Sequence, residues 1–89
     1  MKVRRVQTGV RIEKRLLQVL KALAQYFDMS LGDLIEGMAL HAFENESAFS
    51  ESAREKIAQI KAVYGMDYGV EAAHKMIEVD ENVGDTSQD

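Results

Sequence analysis

Cysteine is absent from the 89 residues, which excludes disulfides and cysteine-based metal sites and leaves no redox compartment to infer. Proline is absent too, so no rigid proline-rich linker divides the chain. The only histidines are His41 and His74, too few for a ligand set, so neither metal nor cofactor is expected. Gly65, Gly69 and Gly84 fit no phosphate-binding glycine loop. Ser30, Ser47, Ser50 and Ser52 read as helix caps and linker residues, not nucleophiles. An enzyme is not expected. No apolar run approaches a membrane span. The first ten residues, basic and broken by polar side chains, do not read as a signal peptide, and a cytoplasmic, nucleoid-associated protein is expected.

The residues present, 46% hydrophobic and 29% charged, suit one small folded unit. A monomer of this size buries a modest share of its apolar surface, so dimerisation is a natural way to complete a core. The net charge of −4 conceals a polarity. Residues 1–27 hold seven cations (Lys2, Arg4, Arg5, Arg11, Lys14, Arg15, Lys21) and one acid, Glu13, for +6. Residues 28–89 hold four cations and fourteen acids, for −10. Such asymmetry points to an N-terminal surface for a polyanion, against the plainer reading of a short solvated basic end.

From Arg5 the sequence alternates, with Val6, Thr8, Val10 and Ile12 on one face and Arg5, Gln7, Gly9 and Arg11 on the other. Period two over eight residues predicts a half-buried strand, weakened at Gly9. The spacing then turns helical. Leu16, Leu20, Leu23 and Phe27, widened by Leu17, Val19 and Ala24, predict a helix over about 14–27, with no favoured cap at Glu13 or Lys14. Ser30 caps a second helix over about 31–43, with Leu31, Leu34, Ile35, Met38, Ala42 and Phe43 as its apolar face. Gly37 inside it costs about 1 kcal/mol against alanine, which a close helix crossing would explain. Ser50 caps a third helix carrying Ala53, Ile57, Ile60 and Tyr64, stopped by Gly65. Asp67 can cap a short fourth, with Val70, Ala73, Met76 and Ile77. Residues 80–89 are acidic and nearly free of apolar side chains, so a disordered tail is expected.

One credible strand among three or four helices is an anomaly, because a lone strand must pair with something. The cheapest partner is the same strand of a second copy, giving a two-fold antiparallel ribbon. Its outer face would present Arg5, Gln7, Gly9 and Arg11. A two-stranded ribbon fits the major groove of B-form DNA, where arginine pairs with guanine and glutamine with adenine. The alternative is a strand kept polar for solubility.

The stretch from Arg5 to Phe43, about 40 of 89 residues, resembles the ribbon-helix-helix family of DNA-binding repressors. Leu16, Leu20, Leu23 and Ala24 match that family's first-helix core. Ser30, Leu34 or Ile35, Ala39 and Phe43 match its second. The resemblance implies a mainly α fold with one N-terminal strand, forming a homodimer through an intermolecular two-stranded antiparallel ribbon, plus C-terminal helices. It places the base-contacting positions on Gln7, Gly9 and Arg11, and a phosphate anchor on the backbone amides of Ser30, Leu31 and Gly32. A helix N-terminus favours an anion there. The chain departs from the family pattern twice: Gly9 has no side chain, leaving readout to Gln7 and Arg11 with Arg5 or Arg4 reaching further, and Asp33 adds a negative charge beside the phosphate anchor.

The expected organisation is a DNA-binding and dimerisation unit over 1–44, a helical extension over 45–79 and the tail over 80–89. The expected function is a repressor that reads double-stranded DNA as a dimer or tetramer through Arg5, Gln7, Gly9 and Arg11, with phosphates held by Lys2, Arg4 and the turn at Ser30, Leu31 and Gly32. The alternative is an antitoxin-type protein whose residues 45–79 seize a partner protein while the N-terminal dimer autoregulates. A neutralising arm of that kind is usually poor in apolar residues. Here Ile57, Ile60, Val63, Tyr64, Val70, Met76 and Ile77 could form a core of their own, which ranks this reading second.

Overall fold

The structure is a computed structural model that describes residues 1–79; the tail expected over 80–89 lies outside the described residues. Three helices of equal length follow one another: α1 (Lys14–Tyr26), α2 (Leu31–Phe43) and α3 (Glu51–Val63). Ser30 caps α2 by accepting from the Asp33 amide at 3.0 Å, and Ser50 caps α3 by accepting from the Ala53 amide at 3.2 Å. Each satisfies an amide that the first helical turn leaves without an internal partner.

The three C-termini share one device. After α1, the Met29 amide donates to the Ala24 carbonyl and the Asp28 amide to Gln25, the paired bonds of a Schellman motif. The same pairs recur after α2, from Glu46 to His41 and Asn45 to Ala42, and after α3, from Met66 to Lys61 and Gly65 to Ala62. Each motif needs one residue in the left-handed region, and Asp28, Asn45 and Gly65 adopt φ of 59°, 57° and 66°. These three residue types tolerate that conformation best.

Both α2 and α3 dock on α1. Val19, Leu20, Leu23 and Ala24 of α1, Leu34 of α2 and Ala53 of α3 are buried. Phe27, Met29, Met38, Phe49, Ile57 and Ile60 close around the cluster formed by Leu20, Leu23, Ala24 and Leu34. Fully burying a leucine such as Leu23 contributes about 1.5–3 kcal/mol. The α3 residues of the expected C-terminal extension therefore share the core that the first two helices build.

Three expectations are corrected. The strand over Arg5–Ile12 does not form: among the described residues there is no β-strand, and the protein is a small all-helical one without an N-terminal ribbon. A strand is stable only against a ladder partner, and the described residues offer 5–12 none. Val6 and Val10, expected against the helices, are 78% and 72% exposed. The fourth helix reduces to one 3-10 turn at Val70–Ala72, and the apolar stripe meant to support it has nothing to pack on, since Val70 and Ile77 are each 90% exposed. Gly37 meets no close crossing either: a Cβ built there would find nothing within 4 Å.

Candidate nucleic-acid interface

Residues 1–11 form an exposed arm without regular structure, carrying Lys2, Arg4, Arg5 and Arg11. The base of the arm is fixed where it enters α1. The Glu13 carboxylate accepts from the amides of Arg15 and Leu16, both at 3.1 Å, and from the Tyr68 hydroxyl at 2.6 Å. The Arg15 guanidinium donates to Glu13 at 3.1 Å and to the Gly65 carbonyl and Asp67 at 3.2 Å, and lies over the Tyr68 ring. Partial burial by itself pushes the Glu13 carboxyl up, but the bonds from Tyr68, Arg15 and Leu16 outweigh it and hold the group at about 2. Burial and the same carboxylate push the Tyr68 hydroxyl up to about 12. The sequence reading missed this cluster: Glu13 is a poor cap by residue preference, and its donor Tyr68 is 55 residues away.

Further out, two arm residues meet carboxylates. Arg5 donates to both oxygens of Glu36 at 2.8 Å in a two-pronged pair, and Arg11 pairs with Glu78. The hydrogen bonds and charge of Glu36 stabilise the Arg5 cation, and Asp33 adds to the effect. Gln7 and Gly9 are exposed between them, as are Lys2 and Arg4 before them. Arg5, Gln7, Gly9 and Arg11, the residues expected to read bases, are all exposed along this arm.

The expected phosphate anchor sits apart from that arm, at the α1–α2 turn. The Ser30 hydroxyl is committed to capping α2, Gly32 is exposed, and Leu31 packs against the core. A shallow recess there is lined by Lys21, Gln25, Asp28, Met29, Ser30 and Leu31. Lys21 and Gln25, four residues apart on α1, share a helix face, a spacing legible in sequence that points to this turn only once the helices are docked. Lys21 brings a cation to the positive end of α2, while Asp28 opposes an anion.

Two further surfaces are apolar. Along α2 only Leu34 is buried, while Ile35, Leu40 and Phe43 are exposed, Phe43 at 81%. Beside it an open, mostly apolar groove is lined by Phe27, Met29, Leu34, Met38 and Phe49 together with Asp33 and His41. No group of three or more potential metal ligands gathers among the described residues, and His41 Nδ1 lies 2.8 Å from the Gly37 carbonyl. No helix among them is long and apolar enough to cross a membrane. In comparisons with protein-family models, curated proteins and solved structures, none matched the chain.

Proposed function

We propose that this chain is a cytoplasmic, nucleoid-associated DNA-binding protein, a transcriptional repressor that engages double-stranded DNA with its N-terminal arm. The observation that carries the reading is the arm itself: exposed, free of regular structure and fastened at Glu13, with four cations in its first eleven residues. A cationic arm without regular structure can follow a groove and neutralise phosphates along it, as N-terminal arms of some DNA-binding domains do in the minor groove. Lys2 and Arg4 contact phosphates. Arg5, Gln7 and Arg11 offer the donors and acceptors that base edges match, and Gly9 lets the backbone approach closely. Lys21 and the amides of Leu31 and Gly32 beside Ser30 supply a second phosphate contact.

The functional unit is a homodimer. Besides Asp33, Glu36 and His41, α2 is mostly apolar, yet one chain fully buries only Leu34 and partly covers Leu31 and Met38. A second copy covering Leu40 and Phe43, toward the C-terminal end of α2 beyond Glu36, would extend the core and double the cationic arms.

The test is fluorescence anisotropy of a labelled mixed-sequence duplex at several salt concentrations, with wild type and Arg11→Ala. Contact with Z phosphates gives a log–log slope of about −0.9Z, and Arg11→Ala should bind more weakly. No binding at low salt would overturn the reading.

One observation favours a second reading, a protein-binding module of the antitoxin kind. Val63, Val70, Met76 and Ile77, expected to form a local core, are all exposed and available to a partner. A stoichiometric small protein co-purifying with the chain, and lost when Val70 and Ile77 become serine, would favour this reading over the first.

A further inference from the structure

We infer that the chain restrains its own arm, with Glu36 and Glu78 occupying the guanidinium groups of Arg5 and Arg11 and giving them up only to a competing polyanion. The competition rests on the DNA-binding reading above; the restraint does not. Of the four cations in residues 1–11, these two meet carboxylates from far along the chain, 31 residues away for Arg5 and 67 for Arg11. The pairs arise from different elements, the middle of α2 and the segment after the 3-10 turn, so the arm is held at two separate points as well as at its base.

The geometry at Arg5 makes the restraint specific. Nε and a terminal nitrogen each donate at 2.8 Å to a different oxygen of Glu36, the parallel fork that arginine also offers to phosphate oxygens or to the guanine edge. A guanidinium so engaged cannot present that fork to DNA until the carboxylate leaves. Both pairs are exposed, and exposed pairs are individually weak, so nucleic acid can displace them. Lys2 and Arg4, which make no such pair among the described residues, remain open for first encounter.

Two measurements test this on the full chain. Trypsin cleaves after arginine, so the rates of cutting at Arg5 and Arg11, referenced to Arg54 in α3, read the restraint without DNA. Glu36→Gln should speed cutting at Arg5, and Glu78→Gln at Arg11. Anisotropy with a labelled mixed-sequence duplex reads the competition. Each variant should bind about two- to fivefold more tightly, the scale of one exposed ion pair, and more tightly than Glu46→Gln, which removes the same charge from an exposed carboxylate without an arginine partner among the described residues. Arg5→Ala should erase the effect of Glu36→Gln.

Unchanged cleavage overturns the restraint, even if affinity rises, because Glu36 and Glu78 would then act only as repelling charges. Equal gains from all three glutamine variants overturn the competition in favour of net charge. Faster cleavage with no duplex binding by any variant overturns the DNA reading and the competition, and leaves the restrained arm standing.

Discussion

The Tyr68 hydroxyl donates a 2.6 Å hydrogen bond to Glu13 across 55 residues, tying the segment after α3 to the residue that caps α1. One carboxylate thus closes a helix end, pairs with Arg15 and holds a tyrosine. Replacing Tyr68 by phenylalanine should lower stability by about 1 kcal/mol, since a hydrogen bond to a charged group is worth somewhat more than that when buried and this one is only partly so. Urea unfolding followed by circular dichroism measures it.

The same pair sets a dependence on pH with two edges. The Glu13 carboxyl is depressed in the folded state, so its contribution is present above the ordinary carboxylate range and is lost as pH falls from about 4.5 toward about 2. The Tyr68 hydroxyl is raised, so its contribution is present below pH 10 and is lost as pH rises from 10 toward about 12. Unfolding free energies measured across both windows should fall at each edge, and Tyr68→Phe should flatten the alkaline one.

The helix ends make opposite predictions for glycine. Gly65 holds φ of 66° in open space, so Gly65→Ala should destabilise by about 1 kcal/mol through backbone strain alone. Asn45 adopts the same conformation with a side chain, and Asn45→Gly should be neutral to stabilising by a few tenths of a kcal/mol. Thermal unfolding of the two variants side by side would show the contrast.

The apolar surface of α2 predicts association. Changing Leu40 and Phe43 together to glutamate should leave the helical circular-dichroism signal unchanged and halve the mass seen in sedimentation velocity. A wild-type chain that sediments as a monomer would contradict the proposed dimer.

Much of the scaffold was legible because its signals are local. The three- and four-residue spacing of Leu16, Leu20 and Leu23 and the caps at Ser30 and Ser50 locate the helices to within about a residue. Residues 5–12 misled because alternation reports a face to be buried, not whether the chain holds anything to bury it against. The stripe of Val70, Ala73, Met76 and Ile77 misled similarly, since helical spacing in so short a segment supplies no docking surface. Partners remote in sequence were out of reach: Glu36 for Arg5, Glu78 for Arg11 and Tyr68 for Glu13 emerge only when the helices pack. Of the candidate interface, the arm's cations were legible from charge, and the carboxylates that Arg5 and Arg11 meet were not.

That α2 and α3 each rest on α1 makes the middle layer of the molecule its first helix. At 13 residues, none of the three is long enough to persist in water alone. Both outer helices depend on α1 for their main docking surface, so losing α1 strands both. Amide exchange should therefore rank the helices, slowest in α1.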